Sequence, residues 1–156
     1  MGGKVLLDEL DRRILNQLQQ NASLSNTALA RLVHTSAPTC LRRVKRLNAL
    51  GVIEKQLVLV SPAKVGAGVD VIAEIILDRQ TAEDFRAFEA LVQNASEVLQ
   101  CYRVSAGSDF VLILQVADMA AYHALVHRLF TAATNVRNVR AFFSVHRSKF
   151  ETRIVV

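Results

Sequence analysis

Ser36-Ala-Pro-Thr-Cys-Leu-Arg-Arg-Val-Lys-Arg-Leu47 is the stretch on which the fold turns. Its apolar letters recur at helical spacing. Ser36 suits an N-cap, and Pro38 falls in the first turn, where a missing N–H costs little. At about 100° per residue, Cys40, Leu41, Val44 and Leu47 share one side of the helix. Thr39, Arg42, Arg43 and Arg46 share the other. One face is expected to pack, and the other to present three guanidinium groups and a hydroxyl. Arginine reads guanine bidentately in the major groove and also pairs with phosphate. Helix 3 is expected to end near Leu50, with Gly51 as its C-terminal cap.

Two shorter helices precede it. Leu10, Ile14, Leu15 and Leu18 form an apolar stripe in a helix over about residues 8–20, with Asp8 as cap. Ser25 caps a second helix that turns Leu29, Leu32 and Val33 inward. Val33-His-Thr-Ser36 then makes a short turn into the third helix. Two helices joined by such a turn describe a helix-turn-helix, whose second helix enters the DNA groove.

The charge distribution agrees. The formal net charge is +5 over 156 residues. Residues 1–62 carry nine Lys/Arg against four Asp/Glu, and residues 63–156 carry ten of each, so the whole excess sits in the first segment. Between Asp11 and Glu54 there is no acidic residue. That asymmetry points to a polyanion partner for the first segment. All seven Phe and both Tyr lie between Phe85 and Phe150. The basic segment thus has no aromatic platform for single-stranded bases, which favours duplex DNA.

Residues 52–60 read as extended, and Ser61–Gly68 as a Pro/Gly-containing linker. Beyond it come a strand at 69–77, a helix at 81–94, strands at 98–105 and 109–116, a helix from Asp118 to about Ala133, and a strand at 136–145. This βαββαβ order predicts a ferredoxin-like sandwich, giving an α+β chain with domains at 1–62 and 63–156. The strands are apolar on both faces: Val71, Ala73, Ile75 and Leu77 alternate with Ile72 and Ile76, and Val111 and Ile113 with Leu112 and Leu114. An antiparallel sheet with one wet face alternates apolar and polar residues, so the second face is expected to be covered by another copy.

Taken together, these features resemble the Lrp/AsnC family, the feast/famine transcriptional regulators. Leu10-Asp-Arg-Arg-Ile-Leu15, Leu24-Ser-Asn-Thr-Ala-Leu-Ala30, the 36–47 stretch with Gly51-Val-Ile53, and Ser105-Ala-Gly-Ser-Asp-Phe-Val-Leu112 carry the resemblance. It implies a sequence-specific DNA-binding regulator responding to a free amino acid. It also implies a homodimer built on paired sheets, assembling further to an octamer. The expected DNA-binding residues are Asn26, Ser36, Ala37, Thr39, Arg42, Arg43, Lys45 and Arg46. The expected effector site comprises Ala106, Gly107, Ser108 and Asp109, with Phe142, Phe143 and Ser144 joining if that strand lies beside the turn of a neighbouring chain. A Gly turn frees N–H groups for a carboxylate, and Asp109 offers a counter-charge for an ammonium. The chain departs from the family pattern with His34 in the helix-turn-helix turn, Ala106 where Gly is common, and His146-Arg147 in place of acidic residues.

Other chemistries are weaker. His123 and His127 are spaced i, i+4, but nothing completes a metal site, so neither metal nor cofactor is expected. Cys40 and Cys101 read as small buried hydrophobes. No nucleophile–base pair, phosphate loop or carboxylate pair points to an enzyme. No apolar run approaches the roughly 20 residues of a membrane span, and the N-terminus lacks a signal sequence, so a cytoplasmic protein is expected. The alternative reading is a nucleoid-organising protein with low sequence specificity, which a comparison of specific and random duplexes would separate.

Overall fold

A computed structural model describes residues 5–66, 68–131 and 135–156. They divide into two units, residues up to Leu59 with Lys149–Val156, and Val60–Ser148.

The first unit holds α1 (Glu9–Gln20), α2 (Asn26–Leu32) and α3 (Ala37–Ala49). Each begins where a capping side chain satisfies an orphan N–H. Asp8 accepts from the Asp11 N–H at 2.9 Å, and Asp11 accepts from the Asp8 N–H at 3.2 Å, a reciprocal capping box. Ser25 accepts from Ala28, and Ser36 from Thr39. His34 takes the turn in a left-handed conformation at φ 54°, which His tolerates better than most residues. At the far end of α3, Gly51 (φ 67°) lets Val52 donate to the Leu47 carbonyl at 3.0 Å and closes the helix. Ile14, Leu15, Leu29, Ala30, Val33, Cys40 and Leu47 form the core.

Two features of this unit correct the sequence reading. Leu41, expected on the packed side, is 44% exposed. The C-terminal tail, assigned by sequence to the second segment, packs here. Val156 joins the apolar cluster, and the Gln19 carboxamide both accepts from the Ile154 N–H at 2.8 Å and donates to its carbonyl at 3.1 Å. Residues 54–60 form neither helix nor strand.

The second unit is a four-stranded antiparallel sheet in the order β2-β3-β1-β4, built from β1 (Val69–Leu77), β2 (Val98–Arg103), β3 (Phe110–Val116) and β4 (Val136–Phe143). This is the ferredoxin-like order. Helices α4 (Ala82–Gln93) and α5 (Met119–Val126) cover one face, and a wider π turn follows over His127–Thr131. Strands β2 and β4 end two residues earlier than the sequence suggests. The expected end of the last helix at Ala133 lies outside the described residues. Val71, Ala73, Ile75, Phe110, Leu112 and Leu114 are fully buried under the helices. The opposite face carries Ile72, Ile76, Val111, Ile113 and Phe142, with Ile72 facing Ile113 across one ladder and Phe142 across the other. Cys101, read from sequence as buried, is exposed. It sits on edge strand β2 beside a hollow of about 400 Å³ between β2 and α4, where no further strand covers it among the described residues.

Candidate functional site

Helix α3 is positioned by contacts at its start and along one flank. The Asn26 amide donates to the Ala37 carbonyl at 2.8 Å, joining the first turns of α2 and α3. The Ser36 hydroxyl donates to Thr39 Oγ1 at 2.9 Å. Asn26, Ser36, Ala37 and Thr39 therefore build the helix-turn-helix corner.

The three arginines do not share one fate. Arg43 Nη1 lies 2.6 Å from Asp8 Oδ2 and 3.4 Å from Asp11 Oδ1. Arg46 Nη1 lies 2.9 Å from Asp11 Oδ2. Asp11 is fully buried between α1 and α3, so this pairing is what allows an ionised group there. The Asp11 N–H, helped by the Arg43 guanidinium, holds the Asp8 carboxyl below its ordinary value. The expected open face of Arg42, Arg43 and Arg46 is thereby corrected: two of its cations are drawn to the acidic start of α1. Arg42 and Lys45 are exposed and have no hydrogen bond or ion pair among the described residues. Cys40 is buried beneath them, and burial pushes its thiol pKa up, which keeps it protonated and inert.

In the second unit the turn before β3 holds Gly107 at φ 84°. Ala106, Gly107 and Ser108 line a pocket of about 320 Å³ together with Glu74, Ile76, Asn138 and Arg140. Glu74 and Arg140, cross-strand neighbours on β1 and β4, form an ion pair there with Nε 2.7 Å from Oε2. Asp109 is turned to another task. Its Oδ2 accepts from the Leu77 N–H at 2.7 Å and from the Gln80 amide at 3.2 Å, while its own N–H donates to the Ile75 carbonyl. It ties the end of β1 to the start of β3. Asp109→Ala is therefore expected to lower the stability of this unit by about 1–2 kcal/mol, read from urea unfolding followed by tyrosine fluorescence. An unchanged midpoint would contradict that role.

Phe142, Phe143 and Ser144 are not brought to this pocket within one chain. Phe142 lies opposite Ile72, four residues (about 13 Å) along β1 from Ile76. It meets the pocket through Arg140, whose guanidinium carbon is 5.4 Å from the ring centre. Phe143 points to the helix side, edge-on to Tyr122 at 5.0 Å, and the Ser144 N–H donates to the Asp70 carbonyl at the far end of the sheet.

The chain matches the AsnC-type helix-turn-helix domain over residues 7–48 and the Lrp/AsnC ligand binding domain over residues 70–154. The chain belongs to the Lrp/AsnC family. It is 35% identical to the leucine-responsive regulatory protein of Salmonella typhimurium, over 96% of this chain and 92% of that one. Its fold is similar to that of an AsnC family transcriptional regulator from Agrobacterium tumefaciens, with TM-score 0.89 and 32% identity over 95% of this chain and 96% of the other. It is equally similar, at TM-score 0.89 and 29% identity over 96% of both chains, to a transcriptional regulator of Neisseria meningitidis solved as its L-Met complex. As an Lrp/AsnC member the protein is a transcriptional regulator, with its DNA-binding helix-turn-helix in the first unit and its ligand-binding domain in the second.

Sequence reasoning passed over several residues that shape these two places in the Lrp/AsnC protein. The sequence marks Asp8 only as a cap and Asp11 only as part of the first helix. Yet Asp11 stands at i−3 and i−4 from Ile14 and Leu15, within the buried stripe, which signals a charge needing a partner. Glu74, Ile76, Asn138 and Arg140 were missed because only the β1–β4 register brings them beside the Gly107 turn. Among the described residues no helix is long and apolar enough to cross a membrane.

Proposed function

We propose that the protein is a cytoplasmic, sequence-specific regulator that binds duplex DNA as a dimer and responds to a free amino acid. The dimer forms through the open sheet face and provides the unit for higher assembly. The pocket at the Gly107 turn carries the effector reading. Glu74 and Arg140 neutralise each other in the free chain, and a zwitterion can exchange that pair for two of its own, ammonium on Glu74 and carboxylate on Arg140, with the turn adding backbone dipoles. Ile76 supplies apolar surface beside them. The similar Neisseria regulator solved with L-Met supports the same ligand class. A single free cation pair on α3 with an apolar neighbour favours sequence reading over the purely phosphate-based binding of a nucleoid organiser.

Calorimetry with the common amino acids, followed by DNA titration with and without the one that binds, tests this reading. The effector is expected to change affinity for fragments selected from genomic DNA about 5- to 150-fold, and DNA to change effector affinity by the same factor. Absence of heat with every amino acid, or an operator affinity indifferent to the bound one, would overturn the effector assignment. Equal affinity for selected and random duplexes would instead favour the nucleoid-organising reading.

A further inference from the structure

We propose that base reading on α3 is confined to Arg42 with its apolar neighbour Leu41, and that Arg43 and Arg46 are positioning residues that hold α3 on α1. This rests on the reading of the first unit as a duplex-DNA binder and assigns roles within it.

Few polar side chains of α3 are free to meet DNA. Arg43 and Arg46 deliver three contacts to Asp8 and Asp11, and Asp11 is buried. Moving Arg46 onto DNA would cost buried Asp11 its 2.9 Å partner, and moving Arg43 would break its 2.6 Å pair with Asp8 and its longer one with Asp11, which opposes the exchange. Thr39 and Asn26 spend their side chains on the corner. Pro38, Leu41, Arg42 and Lys45 remain as the exposed arc, opposite the buried Cys40 and Leu47. The arc is centred roughly 100° away from the one that the three arginines would define by spacing alone. Recognition helices address base edges with their N-terminal residues, and Leu41 and Arg42 stand in the first half of α3. Arg42 suits the N7 and O6 acceptors of guanine. Leu41 is an apolar side chain left 44% exposed beside it, where a thymine methyl would give it apolar contact. The chemistry expected of the half-site is therefore a guanine with a thymine close by. Lys45, one turn from Leu41, adds charge beside the pair.

The test compares affinity for a selected operator with that for random duplex, by fluorescence anisotropy across salt, using the full-length chain. Arg42→Ala is expected to reduce operator affinity about ten- to hundredfold and random-duplex affinity far less. Arg43→Gln is expected to lower the melting temperature of the first unit while leaving the operator-to-random ratio and the salt slope within experimental error. A second measurement alters the DNA instead of the arginines. Replacing operator thymines by uracil removes only the methyl group; one such replacement should weaken binding by the parent severalfold and have no effect on Leu41→Ala. A preserved ratio in Arg42→Ala, a tenfold fall in the ratio for Arg43→Gln, or no uracil-sensitive position in the parent would each overturn the assignment. A parent that binds no duplex at all would instead overturn the DNA reading beneath it.

Discussion

Asp11→Ala is expected to destabilise the helix-turn-helix unit by about 2–4 kcal/mol. Asp11 is 1% exposed at its side chain and accepts charge-assisted hydrogen bonds from Arg43 and Arg46, each worth about 1.5–3 kcal/mol when one partner is charged. It also closes the capping box with Asp8. The loss falls short of the 3–5 kcal/mol typical of a fully buried broken pair, because Arg43 and Arg46 are 27% and 42% exposed and can hydrate. Asp11→Asn, which keeps the shape and the cap acceptor, should lose roughly half as much. Helices α1–α3 contribute more to far-UV circular dichroism than α4 and α5 do, whereas both tyrosines lie in the second unit, so the tyrosine signal identifies which part of the far-UV change belongs to the second unit. A shift of the tyrosine transition without loss of helical stability would contradict the placement. Acid should act on the same corner. The folded pKa of Asp8 is depressed from 3.8, so its contribution is complete above that value and disappears as pH falls through the lower folded one.

The larger effect is expected at the open sheet face. Ile72→Glu with Ile113→Glu should convert the proposed dimer to monomer at micromolar concentration. Ile72 and Ile113 are cross-strand neighbours on the face away from α4 and α5, so the helix-covered core is left intact. Burying a side chain of this size contributes about 1.5–3 kcal/mol, and a two-fold interface counts each position twice. The sum of about 6 kcal/mol or more is a weakening of at least four orders of magnitude. Light scattering on the parent and the variant measures it. A monomeric parent, or a variant that still dimerises, would contradict sheet-face association. The Glu74–Arg140 pair and the Gln115–Asp70 hydrogen bond on the same face are polar contacts already satisfied within the chain, which lets the face be covered without stranding a charge.

Much of the fold was legible because its signals are local. Ser25, Ser36 and Asp118 cap helices at the positions their chemistry suggests, and Gly51 closes α3 through its left-handed conformation. The second unit followed from strand and helix order, since four strands and two crossovers leave few topologies. Less of the site was legible. Phe142 and Phe143 were grouped as neighbours in sequence, yet strand geometry sends successive side chains to opposite faces, and Phe143 lies against Tyr122. That exclusion was available from period two alone. The pairing of Arg43 with Asp8 was not, because 35 residues separate them and nothing in the spacing says which carboxylate a guanidinium will meet.

By itself the sequence determined that a basic three-helix unit precedes a βαββαβ unit, and that the family is Lrp/AsnC. Caps, periodicity, turn residues and charge balance act over a few positions and survive without knowledge of the rest. Only the tertiary structure decided which cations of α3 are free, that Asp109 anchors β1 to β3, and that Arg140 and Glu74 meet beside the Gly107 turn. Each depends on which distant side chain arrives within about 3 Å, the range over which a hydrogen bond or ion pair acts. Strand register and helix packing set that distance, and both come from burying the core as a whole.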